Sequence, residues 1–341
     1  MDAIRYELDE RPGDGETVTI ADDTLWLRMP LPMSLNHINL WLLRDGPGWV
    51  IVDTGIDTPT TREHWQKVFA DDMGGDPATH VVATHLHPDH AGCAGWLVRE
   101  FGVDLWMTRE EYLLCRLLIA DTDVQAPAEA VSFYRAAGFS DEQLATYQDN
   151  FGMFGRVVGA LPNAHRRMKD GDVQNFAGHD WEVVIGRGHS PEHACLYDAE
   201  RNILISGDQI LPTISPNVSV WPTEPLANPL QDFFESIDKL EAKIPDDVLV
   251  LPSHGKPFRG AHVRLEELRR EHTDKLSALL DNSAQPRRVL DVFPDLFGAA
   301  INDSNRIMAT GEAIAHLHYL CDTGDMTMER DASGVDWYRR A

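Results

Sequence analysis

Apolar positions along the chain fall into two kinds of run. Short ones that stop at a turn read as strands: Trp49-Val50-Ile51-Val52 ends on Asp53-Thr54-Gly55, and His80-Val81-Val82-Ala83-Thr84 runs into a cluster of histidines. Trp181 to Ile185, Ala194 to Tyr197, Asn202 to Ile205 and Val248 to Leu251 read the same way, the last ending at Ser253-His254-Gly255. Other runs carry helical spacing and helix-start signals. Thr58-Pro59 offers an N-cap and a proline at the first helical position, predicting a helix through about Phe69. Asn228-Pro229 does the same for a helix with the apolar face Leu230, Phe233, Phe234, Ile237 and Leu240.

Residues 109–162 have a different character, with apolar positions at Leu113, Leu114, Leu117 and Leu118 and again at Tyr147, Phe151, Phe154 and Val158. Ser140 with Gln143 is a capping-box pattern that opens the second helix. These stripes suit helix packing, and the place of the segment between two histidine-bearing stretches makes it a candidate lid or homodimer contact. Prolines at 212, 216, 222, 225 and 229 exclude regular structure from the 211–229 loop. After Gly260 the pattern is helical, from Val263 to about Leu280, over 286–292 and from Gly311 to Cys321, before a hairpin over Met326 to Tyr338. The expected division is a large α/β domain over 1–260 and a small, mainly helical, winged-helix-like domain over 261–341.

A chain of 341 residues with 43% hydrophobic content buries enough for such a pair of domains. No apolar run approaches the ~18 residues of a spanning helix, so no membrane partner is expected. Met1 to Glu7 has no basic segment leading into an apolar one, so a cytoplasmic location is expected. Cys93, Cys115, Cys195 and Cys321 are too scattered for a disulfide framework. The net charge of −25 repels a polyphosphate backbone, so nucleic acid is disfavoured and a small-molecule substrate expected.

The chemistry lies first in Thr84-His85-Leu86-His87-Pro88-Asp89-His90. Imidazole and carboxylate donors suit zinc, with manganese or iron as alternatives. In a segment that is extended and then turns, His85 and His87 point the same way and can share one ion, while Asp89 and His90 swing toward a second. The H-x-H-x-D-H pattern resembles the signature of the metallo-β-lactamase superfamily. Four further motifs follow its order: Asp53 in Val52-Asp53-Thr54-Gly55, His189 in Gly188-His189-Ser190-Pro191, Asp208 after Gly207, and His254 in Ser253-His254-Gly255. The resemblance covers about residues 18 to 260.

It implies an αββα sandwich with two zinc ions per chain at one edge of the sheets. His85, His87 and His189 would hold one ion, Asp89, His90 and His254 the other, and Asp208 would bridge them. Asp53 would orient the site, and His193 is a candidate partner for a ligand. Two such ions bring a water toward neutral pKa and polarise a carbonyl or phosphoryl oxygen, with Asp89 a candidate acceptor for the water proton. An aspartate at 208 sets the chain apart from the β-lactamases of the superfamily. It points to the hydroxyacylglutathione hydrolase (glyoxalase-II-like), lactonase and phosphodiesterase branches.

The reading that follows is hydrolysis of a thioester, ester or lactone. One alternative is single-strand endoribonuclease action, as in a β-lactamase-like endoribonuclease group with a similar appendage; against it, residues 261–341 hold ten Lys and Arg and fourteen Asp and Glu. Another is a mononuclear iron persulfide dioxygenase, separable by metal analysis. Lys256, Arg259, Trp221 and Tyr112 are candidate substrate contacts, whereas His165, His179, His272, His316 and His318 have no ligand-like neighbours in sequence and are expected to be structural.

Overall fold

Alternate residues of the His37–Asp45 strand belong to different cores: Leu40 and Leu42 to one hydrophobic cluster, Trp41 to another that also holds Leu43. A strand covered on both faces is the mark of a sheet inside a layered sandwich. The computed structural model describes residues 3–298 and 301–341. Met1 and Asp2 of the amino-terminal stretch read above lie outside the described residues, as do Ala299 and Ala300.

Two seven-stranded sheets face each other. The first runs in chain order through Glu16–Ala21, Thr24–Pro30, His37–Asp45, Gly48–Val52, Ala78–Val82, Leu105–Met107 and Arg166–Arg167, its last four strands parallel. The second is ordered Arg5–Tyr6, Phe258–Arg259, Leu249–Pro252, Ile203–Gly207, His193–Asp198, His179–Gly186, Val173–Phe176. In it Ile203–Gly207 and Leu249–Pro252 pair in parallel. Trp26, Trp41, Val50 and Val52 of the first sheet meet Trp181, Val183, Leu196 and Leu251 of the second in the central core.

Helices Pro59–Ala70, Ala94–Phe101 and Arg109–Ala120 cover the outer face of the first sheet. Helices Pro229–Lys243, Ala261–Asn282 and Arg306–Asp322 cover that of the second. This is the expected αββα layering. The caps read from sequence form: Thr58 accepts from the Thr61 amide, Asn228 from Gln231, and Ser140 and Gln143 close a capping box. Past Asn282, short helical turns cover 289–296, and a hairpin pairs Met326–Arg330 with Asp336–Arg340. The carboxy-terminal helices share one core with Val250 and Phe258 of the second sheet and with Tyr134, Phe139 and Leu144 of the insertion. Among the described residues, no helix is long and apolar enough to cross a membrane.

The insertion departs from its expected pattern. It forms three helices, Arg109–Ala120, Ala128–Ala136 and Asp141–Asp149. The inward face of the first carries Glu111, Tyr112 and Cys115, while Leu113 and Leu117 are exposed. The last helix ends before Phe151, Phe154 and Val158. Gly152 beyond it has φ +73°, and a Cβ there would lie 2.3 Å from the Asp121 carbonyl oxygen, so the chain turns tightly under the first helix at a position only glycine fits.

Candidate metal centre

Each predicted ligand follows the carboxyl end of a strand, and the two sheets contribute unequally. Beyond Ala78–Val82 the first sheet supplies His85 and His87 from a bend rather than from extended chain, and Pro88 opens a short helical turn carrying Asp89 and His90. The second sheet supplies His189 after His179–Gly186, Asp208 after Ile203–Gly207 and His254 after Leu249–Pro252. The seven form two groups, His85, His87, His189 and Asp208, and Asp89, His90 and His254, with the donor atoms of each group within 4.8 Å of one another.

Asp208 faces both groups. Its Oδ2 lies 3.4 Å from His189 Nε2, and its Oδ1 lies 3.4 Å from both His90 Nε2 and His254 Nε2. Asp89 Oδ2 closes the second group at 3.4 Å from His254 Nε2 and 3.8 Å from His90 Nε2. His90 Nε2 and Asp208 Oδ1 are buried and form no hydrogen bond. A buried polar atom without a partner is costly, and a divalent ion between these two would satisfy both. The donor set and the orphaned atoms therefore fit a metal pair.

The ligand rings are held from behind, as metal-binding imidazoles generally are. His90 Nδ1 donates to Asp53 Oδ2 at 2.8 Å, His189 Nδ1 to the Asn217 carbonyl at 2.9 Å, and His254 Nδ1 to the His37 carbonyl at 2.8 Å. With Nδ1 donating outward, each Nε2 faces the cluster and can offer its lone pair once any proton it carries is lost. Asp53 also accepts from the Thr84 amide at 2.8 Å and from its hydroxyl. It is thereby placed to orient His90 and the ligand loop rather than to touch a substrate. His193 accepts from the Asp208 amide at 3.0 Å. Gly207 makes that contact feasible, since a Cβ there would lie 2.4 Å from His193 Nε2.

Three orienting residues escaped the sequence reading: Glu111, Asn217 and His37. Glu111, fully buried on the insertion's first helix, accepts from the Leu86 amide at 2.9 Å, the Ser190 hydroxyl at 2.6 Å and the Glu192 amide at 2.8 Å. It thereby ties the histidine loop of the first sheet to the His189 loop of the second. Only the start of a helical segment at Arg109 hints at it in sequence; Asn217 and His37 act through carbonyls, which carry no signal of residue type.

Charge divides the imidazoles. Burial, reinforced by His90, pushes His85 well below its ordinary pKa; burial and His189 push His87 down to about 3. Burial opposes a charge on His254 and His90 too, but carboxylates prevail. Asp208 and Asp89 raise His254 to about 10, and Asp53, Asp208 and Asp89 raise His90 well above its usual range. Burial would likewise raise Asp208, yet His254 and His90 hold it well below the carboxylate range.

The candidate substrate contacts are mostly engaged elsewhere. Tyr112 is buried in the outer core of the first sheet, its hydroxyl donating to the Pro162 carbonyl at 2.7 Å and its ring stacked on His165. Arg259 lies on the strand Phe258–Arg259, bonded to Glu7 and to the carbonyl of Asp247, at the end of Leu249–Pro252 opposite His254. Neither reaches the cluster, because core packing claims one and an ion pair at the far end of the sheet the other. Lys256 follows the ligand loop, but its ammonium donates to the Asp9 carbonyl at 3.1 Å and sits over Tyr6. Trp221 is 38% exposed in the proline-rich loop, four residues past Asn217.

A family model described as "Metallo-beta-lactamase superfamily" matches residues 34–254, and one described as "Metallo-beta-lactamase-like, C-terminal domain" matches 276–341. The acyl-coenzyme A thioesterase MBLAC2 of Bos taurus is 27% identical over 201 residues, 56% of this chain. The chain thus spans 65% of the length of that relative. Hydroxyacylglutathione hydrolase GloC of Haemophilus influenzae is 21% identical over 175 residues, 51% of this chain and 68% of that protein. Among solved structures, a beta-lactamase domain protein from Burkholderia ambifaria superposes with a TM-score of 0.91 at 39% identity, over 99% of this chain and 98% of that one.

Proposed function

The chain belongs to the metallo-β-lactamase superfamily, and from that premise we propose that it is a two-zinc hydrolase of thioesters. The division of Asp208 between two ligand groups carries this reading, since Oδ1 faces His90 and His254 and Oδ2 faces His189. A pair of divalent ions bound there would bring a water toward neutral pKa and polarise the carbonyl oxygen of a substrate. The protein's own groups do the rest. Asp89, with 17% of its side chain exposed against 10% for Asp208, is the carboxylate most open to an incoming water and the one placed to take its proton. Asp53 and the Asn217 and His37 carbonyls hold the imidazole rings, and His193 holds the backbone of Asp208.

The substrate class draws on the relatives, since both an acyl-coenzyme A thioesterase and a hydroxyacylglutathione hydrolase cleave an acyl group from a thiol. Trp221, exposed four residues past Asn217, suits the edge of an acyl site. Four free cysteines, three of them buried, suit a reducing compartment, and we place the protein in the cytoplasm.

The test is metal analysis of the purified protein followed by thiol release from a panel of acyl-coenzyme A and acylglutathione thioesters, with simple esters and lactones alongside. Near two zinc ions per chain and thioester cleavage abolished by Asp208→Asn are expected. A zinc-loaded protein that leaves every thioester intact overturns the substrate class, and one iron per chain without zinc overturns the metal assignment.

A further inference from the structure

The 211–228 segment has no helix or strand, yet one of its carbonyls, that of Asn217, orients the ligand His189. A loop positions a ligand well only if it is itself fixed. The fixing comes from the carboxy-terminal helices. Arg264, buried on Ala261–Asn282, donates to the Leu211 carbonyl at 2.6 Å and the Ile214 carbonyl at 3.1 Å. On Arg306–Asp322, Glu312 Oε2 accepts from Asn217 Nδ2 at 2.9 Å, while its Oε1 pairs with Lys275 Nζ at 2.7 Å. The other end of the Asn217 amide, Oδ1, accepts from the Ser219 hydroxyl at 2.5 Å. The approach is close because residue 311 is glycine: a Cβ there would lie 2.8 Å from the Ser219 Cβ and 2.9 Å from the Val220 carbonyl oxygen.

The Asn217 side chain is therefore clamped at both ends, and both oxygens of Glu312, whose side chain is 12% exposed, are in use. We propose that Glu312 is a positioning residue of the metal centre: through Asn217 it fixes the carbonyl that orients His189, so the carboxy-terminal helices set how tightly the His85, His87, His189 and Asp208 group holds its ion. This rests on the reading of the cluster as a metal centre and is independent of the substrate. Without the carboxylate, Asn217 Nδ2 and the Lys275 ammonium lose their partner, and the peptide that faces His189 loses its anchor.

The experiment compares full-length wild type, Glu312→Ala, Glu312→Gln, Asn217→Ala and Leu320→Ala. Leu320 is buried on the same helix in the apolar core, so its truncation destabilises without touching the polar chain. Zinc affinity is measured by competition with a chromophoric chelator, ligand geometry by the visible spectrum of the cobalt form, and stability by melting of the metal-free protein. Glu312→Ala and Asn217→Ala are expected to weaken one of two zinc-binding steps by about ten- to a hundredfold and to alter the cobalt spectrum alike. Glu312→Gln, which keeps an acceptor for Asn217, should recover most of the affinity. Leu320→Ala should lower the melting midpoint yet bind zinc as the wild type does. Wild-type affinity and spectrum in Glu312→Ala, or equal weakening in Leu320→Ala, would overturn the proposal. A wild type that binds no divalent ion would overturn the metal-centre reading along with it.

Discussion

At the scale of single residues, Asp53 shows how much of the centre lies behind the ligands. Its φ of 60° is left-handed, a conformation that costs a non-glycine residue on the order of 1–3 kcal/mol and persists where its surroundings impose it. The fully buried carboxylate meets the Thr84 amide, the Thr84 hydroxyl and His90. Asp53→Asn keeps the shape but turns one acceptor into a donor. It should lower zinc affinity by about ten- to a hundredfold, measured by chelator competition, and wild-type affinity would remove Asp53 from the centre.

The imidazole charges make a second prediction at this scale. His254 and His90 stay protonated through neutral pH, and an ion must displace those protons to reach Nε2. His87, down to about 3, and His85 are neutral there and release none. Raising the pH thus favours the Asp89, His90 and His254 group, by up to about tenfold in affinity per unit for each proton displaced. Calorimetric zinc titrations between about pH 6 and 8, run in buffers of different ionisation enthalpy, should find one step more steeply pH-dependent than the other. Equal slopes would contradict the division. The histidine and aspartate cluster at 85–90 is legible from residue type and spacing, whereas His189, Asp208 and His254 are marked in sequence only by the resemblance of their motifs to those of the family. Glu111, Asn217 and His37 are not legible, since a carboxylate on a remote helix and two backbone carbonyls become site groups only when the layers meet.

At the scale of elements, Glu111 makes the first insertion helix a cross-tie between loops of the two sheets. Glu111→Ala would strand the Leu86 and Glu192 amides, and each unsatisfied buried donor costs about 1–3 kcal/mol. A loss of about 2–4 kcal/mol is expected in urea unfolding of the metal-free protein; a loss below about 1 kcal/mol would mean water replaces the carboxylate. Strands ending on a turn beside a ligand, such as Leu249–Pro252, are legible in sequence, as are helices with a capped start. The strands Thr24–Pro30 and His37–Asp45 are not assigned from it, because burial on both faces erases the polar alternation that marks a strand. Leu113 and Leu117 mislead for the opposite reason: the helix turns Glu111, Tyr112 and Cys115 inward and leaves both leucines in solvent.

At the scale of the whole molecule, the net charge of −25 acts on any anionic substrate before contact. A coenzyme A thioester carries phosphates and is repelled, so added salt should raise its kcat/KM by screening. A thioester of the uncharged pantetheine arm should show little change, and a fall for the coenzyme A substrate would point to a local basic patch that overrides the average. The origin of the ligands has a further consequence. Four stand on loops of the first sheet and three on loops of the second, with both groups drawing on both sheets. A half-folded chain, with one sheet formed and the other not, holds no complete set. An ion held by all these residues would therefore be bound only by the finished molecule, and zinc added to the growth medium is expected to raise the share of chains that resist proteolysis.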